Sequence, residues 1–361
     1  MTDTYAIRFY RIYDAGDLID LDLLERRLAV GHTTARARFT RVSPKSVSMG
    51  APPLVMELPP VRVTIEGREW QMGTVARIYD IGAISLCFTL EEEQGTPAAL
   101  QVTALQFAGQ KGFDPLYAAF LDEIRQVLAP HIGDIPLDPD FYEDYTIHIT
   151  DRTDPALDPV VVLLGEDIAY SAQTRDDTLK YSSSYGAADR TILSWDAALL
   201  IGPASPGDLI DLIDLIEYAL VQTLEFRYYD RVLTVQMERM YDDIEAAEKR
   251  TRFVRTSRYH GIMTRLMETQ ADISEITDKV DNLIKITEDV YYARVYAMAL
   301  SVLRISQWRA SVDRRIAVIH RNYTMLSDEV NIHHSHFLEV VIILLIAFEI
   351  FFLLLERLGA A

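Results

Sequence analysis

Glycine and proline are spread very unevenly along this chain. Before Gly207 they recur throughout, but from Asp208 to Leu358, a stretch of 151 residues, Gly261 is the only one of either. Strands and tight turns need such breakers, so the C-terminal stretch has room for little except long helices, and any sheet must lie in the N-terminal part.

That N-terminal part reads as α+β. Runs rich in β-branched and aromatic residues predict strands at "YAIRFYRIY", "PVRVTIEG", "TVARIYDIGAISLCFTL", "ALQVTALQFAG", "DYTIHITD" and "PVVVLLGED". Asp80–Gly82 predicts a hairpin turn inside the third run. A helix is expected over "DPLYAAFLDEIRQVLAPHIG", opened by Asp114 and Pro115, and a shorter one over "DLIDLDLLERRLAVG", stopped at Gly31. The polar segment "AYSAQTRDDTLKYSSSYGAADR" reads as a loop.

The helical part carries a seam. Ile273, Ile276, Val280, Leu283, Thr287 and Val290 alternate at spacings of three and four. After a slip near Tyr291 the pattern resumes at Met298, Val302, Ile305, Arg309, Val312, Ile316, Ile319, Tyr323, Leu326, Val330, His333 and Phe337. Such alternation is a coiled-coil seam, and the slip behaves as a four-residue stutter. Asp272 followed by Glu275 marks a helix start, so a helix over roughly 208–265 is expected to fold back on the later one.

The seam runs into an apolar end. All sixteen residues from Val340 to Leu355 are apolar except Glu349. At 1.5 Å per residue they span about 24 Å, against a hydrocarbon core of about 30 Å. With Phe337, Leu338 and Leu358 added, and Glu339, Glu356 and Arg357 at headgroup level, the segment predicts a transmembrane helix over 337–358. Some fourteen favourable residues at about 0.3–0.6 kcal/mol each outweigh one carboxylate at about 2.5–3.5. An acid at such depth faces protein, so Glu349 predicts packing against another copy or another subunit. The alternative is a soluble oligomer that buries this helix. No basic patch followed by an apolar run opens the chain, so insertion is expected tail-first, with the bulk in the cytoplasm.

Charge narrows the partners. The net charge is −19, which argues against nucleic-acid binding by the chain as a whole. Residues 1–224 hold 17 Lys+Arg against 34 Asp+Glu, whereas residues 225–321 hold 17 against 15. Within the balanced part, Lys249, Arg250, Arg252, Arg255 and Arg258 fall in one short run with Phe253 and Tyr259 between them. This run is a candidate contact for phosphate, on lipid headgroups or on ribosomal or other RNA. Cys87 is the sole cysteine, so no intrachain disulfide and no cysteine-based metal site can form.

Signals for catalysis are sparse. Glu329, His333 and His336 have metal-compatible helical spacing, although His333 also fills a seam position. Glu166, Asp167, Asp176 and Asp177 could hold a divalent ion in a phosphate or nucleotide hydrolase. No nucleophile, phosphate-binding glycine loop or dinucleotide fingerprint accompanies them. No catalytic residue and no cofactor is therefore expected, and His131 and His148 read as structural.

Three segments, "LIEYALVQTLEFRYYDRVL", "DKVDNLIKITEDVYYARVYAMAL" and "HFLEVVIILLIAFEIFF", resemble the Rmd/Rmnd (required for meiotic nuclear division) family, a domain of unknown function, in its bacterial-type form. Leu338-Glu339 and Glu349 match that family's tail, while Ser335, His336 and Phe337 stand where a base is expected. The resemblance implies an inner-membrane-anchored, oligomeric, non-catalytic protein. Together these readings predict an acidic α+β head (1–207), a helical hairpin and coiled-coil stalk (208–336) and a membrane helix (337–358). The function expected of this arrangement is a self-associating, tail-anchored scaffold with membrane lipid, further copies and an unidentified protein or the ribosome as partners.

Overall fold

A computed structural model describes residues 4–16, 18–28, 34–36, 47–49, 51–132, 138–202, 206–248 and 290–359, with scattered positions from 259 to 286. Two compact units divide the chain. One comprises Met1–Tyr228 and Ile276–Arg309, the other Tyr229–Glu275 and Ala310–Ala361.

The first unit is built on a nine-stranded sheet in the order β2-β4-β5-β6-β1-β7-β10-β9-β8. Its strands are β1 (Tyr5–Asp14), β2 (Thr34–Arg36), β4 (Leu54–Ile65), β5 (Arg68–Ile78), β6 (Ala83–Glu92), β7 (Tyr142–Thr150), β8 (Ser182–Ser183), β9 (Arg190–Leu193) and β10 (Ala197–Ile201). β10 pairs with β7 in parallel, and every other neighbour is antiparallel. The expected turn joins β5 to β6, closed by the Tyr79 amide donating to the Ala83 carbonyl at 2.9 Å.

Alternation along the central strands sends two different sets of side chains to the two faces. Ile7, Phe9 and Tyr13 of β1, with Leu86, Phe88 and Leu90 of β6, enter the main core. There they meet α1 (Leu21–Leu28), α2 (Pro97–Gln106), α3 (Asp114–Ile132) and α4 (Pro159–Leu164) through Leu24, Leu100, Phe107, Phe113, Tyr117, Ile124 and Leu163. The rings of Phe9, Phe88, Phe107 and Phe113 interlock at centroid distances of 4.9–5.8 Å, the tilted and edge-on range favoured by aromatic quadrupoles. The opposite face, with Arg77 of β5 and Glu143 of β7, is covered by the first half of α6 (Pro206–Glu248). α7 (Val290–Val302) lies outside α6, and its Tyr296 hydroxyl donates to Gln222 at 2.8 Å.

Two runs read as strands are helices. "ALQVTALQFAG" falls in α2, where the Thr96 side chain accepts from the Ala99 amide and Pro97 occupies the first turn. "PVVVLLGED" opens with α4, capped by Asp158, begun at Pro159 and ended at the left-handed Gly165. In both, an N-cap followed by proline at the first helical position outweighs the β-branched composition. The segment read as a loop contains α5 (Ala172–Leu179), capped by Ser171. Within the seam, Ile284–Ile286 form a strand, β11, paired antiparallel with β3 (Val47–Met49) rather than a helical turn.

In the second unit Asp230 of α6 accepts from Ser311 at 2.6 Å and from Arg315 at 2.7 Å. Those two residues belong to α8 (Ile305–Gly359). Val312, Ile319 and Leu326 of α8 are buried at seven-residue intervals, as a seam requires.

The membrane part of the expected fold is overturned. Among the described residues no helix is long and apolar enough to cross a membrane. The apolar run Val340–Leu355 rises only about 24 Å and is interrupted by Glu349, against about 30 Å of hydrocarbon. The transmembrane helix over 337–358, the tail anchor and the single-pass inner-membrane location fall with it.

Candidate functional site

The C-terminal part of α8 exposes what a folded chain ordinarily hides. Val340, Ile342, Ile343, Leu344, Leu345, Ile346, Phe348 and Ile350 are each 51–63% exposed. Eleven helical residues make about three turns, so these side chains point in every direction around the helix axis. Glu339 and Glu349 are exposed on the same helix. Phe337 and Leu338 lie in α8, as do Glu329, His333 and His336; their side chains are outside the described residues, and so is the basic run of Lys249, Arg250, Arg252, Arg255 and Arg258.

The acids proposed for a divalent ion do not converge. Glu166 and Asp167 follow the end of α4, while Asp176 and Asp177 sit in α5, all four exposed. Arg175 of α5 turns away from them and pairs with Asp158 at 2.9 Å. Among the described residues no group of three or more histidine, cysteine, aspartate and glutamate side chains could hold a metal ion.

A buried charged layer separates the sheet from α6. Arg77 donates to Asp214 at 2.6 Å and to Glu217 at 2.8 Å, while the Tyr79 hydroxyl donates to the other Glu217 oxygen at 3.0 Å. Burial raises the pKa of Asp214 despite the guanidinium beside it, and burial together with Glu217 drives that of Tyr79 well up. Further along the helix, Arg227 pairs with Glu143 of β7. Glu225 is fully buried with neither oxygen hydrogen-bonded, and burial, reinforced by the charge of Asp14, raises its pKa well above the usual range.

On the other side of the sheet lies a cavity of about 110 Å³, lined by Asp144, Thr146 and His148 of β7, Asp196, Gln110, and Phe107, Val162 and Leu163. Its floor turns through left-handed backbone at Gly109 (φ 65°) and Gln110 (φ 51°). The Gln110 amide holds that strained conformation by donating to the carbonyls of Tyr10 and Tyr145 and to the Thr146 hydroxyl, and its oxygen accepts from Tyr117. His148 is 4% exposed, its Nδ1 has no hydrogen-bond partner, and burial lowers its pKa to about 3. Burial, with a contribution from Asp144, raises the pKa of Asp196. No motif announces this cavity. The one signal available is the alternation of "EDYTIHIT", which sends Asp144, Thr146 and His148 to a single face.

The chain has counterparts among known proteins. It is 26% identical over 179 residues to "Uncharacterized protein MJ0711" of Methanocaldococcus jannaschii, an overlap of 48% of this chain and 52% of that protein. The chain thus spans about half the length of the curated relative it matches. No solved structure matches it. The model of one family, "Uncharacterized protein MJ0711, N-terminal domain", matches residues 4–207, more than half the chain and the whole of the sheet, and the chain belongs to that family.

Proposed function

We propose that this chain is a non-catalytic assembly protein whose C-terminal helix packs against the same helix of further copies. The observation that carries the reading is the ring of exposed apolar side chains from Val340 to Ile350. A helix apolar on all sides is stable in water only among neighbours that cover it. A copy of the same chain supplies an equally apolar surface, and symmetric self-pairing is the commonest arrangement for such patches. Full burial of a large apolar side chain is worth about 1.5–3 kcal/mol. Eight that are about half exposed therefore hold roughly 6–12 kcal/mol in reserve, within the range of about 4–15 kcal/mol that association costs.

The finer kinship with the Rmd group, carried by Leu338-Glu339 and Glu349, belongs to this proposal in its oligomeric and non-catalytic aspects only. The test is light scattering of the full chain without detergent, beside a Leu344→Glu, Leu345→Glu double variant. Multimers that dissociate in the variant, with circular dichroism unchanged, support the reading. A full chain that stays monomeric at micromolar concentration rejects it.

A further inference from the structure

One margin of the sheet is only partly covered. β2 pairs with Leu54–Met56, three of the twelve residues of β4. The ladder from β4 to β5 slips between Leu58 and Val61, at Pro59-Pro60, and then runs regularly from Val61 to Ile65. Among the described residues no strand pairs with the outer edge of those five. Such an edge is a row of backbone donors and acceptors able to template another strand. Its sequence, Val-Arg-Val-Thr-Ile, is mostly β-branched and holds neither glycine nor proline. Val61, Val63 and Ile65 pack on the main core and are only half-buried there, whereas Arg62 and Thr64 stand exposed on the other face.

We propose that Val61–Ile65 pairs antiparallel with the same five residues of a second copy, joining two sheets across a twofold axis. The segment is its own complement. With all five residues paired, Val61 faces Ile65, Val63 faces Val63 and Arg62 faces Thr64. Apolar side chains then cover one another on the core face, and no like charges meet on the other. A shift by one residue sets core-facing side chains opposite exposed ones. A shift by two sets Arg62 opposite Arg62 in one sense and runs into the left-handed turn at Glu66 and Gly67 in the other. Pro59 and Pro60, which have no amide hydrogen to donate, end the shared ladder beyond Val61. This contact is independent of the C-terminal helix, because every residue invoked belongs to the sheet-bearing unit.

The experiment uses the full chain carrying Leu344→Glu and Leu345→Glu, so that contact through the C-terminal helix is disfavoured and the two readings fail separately. Sedimentation velocity at rising concentration should show a monomer–dimer equilibrium. Thr64→Glu and Thr64→Lys, added in turn, each place a new charge opposite Arg62 of the other copy, twice per dimer. The first should tighten dimerisation about fivefold and the second loosen it about fivefold. Thr64→Cys should crosslink to its counterpart, about 8 Å away on the diagonal, through a short bismaleimide. Glu69→Cys, paired with Thr64 on β5, should not, because its counterpart lies three strand spacings away, about 14 Å. Positions 64 and 69 are both exposed, so the fold accepts these replacements. A chain that stays monomeric at high micromolar concentration, a dimer indifferent to charge at position 64, or equal crosslinking from positions 64 and 69 would overturn the proposal. None of these outcomes bears on the helix-borne contact, which is read on the unaltered chain.

Discussion

Residues 211–226 of α6 are buried at every position although Asp211, Asp214, Glu217 and Glu225 are among them, whereas Val340–Ile350 of α8, apolar except for Glu349, stand exposed but for the half-buried Val341. Taken by composition alone, the two stretches would be assigned the other way round. What separates them is the availability of partners. Asp214 and Glu217 of α6 meet Arg77 and Tyr79 of the sheet, so much of the desolvation of their charge is offset by short ionic hydrogen bonds, while Glu225 is carried as the neutral acid. The eight large apolar side chains of the α8 stretch remain 51–63% exposed. Burial in this protein follows complementarity between elements more closely than the hydropathy of either one.

The strongest way to break that contrast is to remove the cation. Arg77→Ala leaves Asp214 and Glu217 buried without a counter-charge, and the loss of stability should be about 3–5 kcal/mol in urea denaturation. Arg77→Met should do no better, because the defect is an unpaired charge and not a lost volume.

Next in size is an acid sensitivity located at His148. Its folded pKa, about 3, lies below its ordinary 6.5, so the neutral form is the one the fold accepts. The stability this provides is complete above about pH 6.5 and is lost as pH falls toward about 3. The decline should be on the order of a few kcal/mol, and His148→Gln should flatten it. An equally steep decline in the variant would place the sensitivity elsewhere.

Glu225 should act in the opposite direction. Its folded pKa is raised, so the fold carries it as the neutral acid and is penalised as pH rises above the ordinary value of 4.5. Glu225→Gln should therefore match the unaltered chain under acid conditions and exceed it increasingly toward alkaline pH. Denaturation midpoints measured from about pH 5 to about pH 9 would show this divergence, and parallel curves would refute it.

The smallest effect on the isolated chain is expected at the exposed stretch. Leu345→Glu, at a side chain 63% exposed, should change monomer stability by no more than about 0.5 kcal/mol while still weakening assembly. A destabilisation of several kcal/mol would mean that this helix is already covered by its own chain, and the comparison drawn above would collapse.

Sequence reading reached the elements whose periodicity and punctuation agree. β1, β7 and α3 stand where their patterns predict, and the Asp80–Gly82 turn joins β5 to β6. It missed α2 and α4 because "QVTALQ" and "VVVLL" were weighed by composition, when Thr96-Pro97 and Asp158-Pro159 were helix starts. β9 and β10 are four and five residues long and follow a polar segment, which left little pattern to read. The cavity was less legible still. In β7 the polar face of the alternation, Asp144, Thr146 and His148, suggests solvent, yet it is the face that α2 and α4 approach. Periodicity separates two faces of a strand without saying which of them a helix will cover. The membrane helix failed for a related reason, since an apolar stretch has the same composition whether lipid or another helix is to surround it.

At one end the sheet finishes on β8, two residues long, although strands within it reach twelve. A terminus this short presents too few free amide and carbonyl groups to template another strand, so this edge is closed to lateral growth without being part of a barrel. Copies of this chain can then meet at that edge without fusing through their sheets. Contact there is left to side chains, which makes it reversible and open to adjustment one residue at a time.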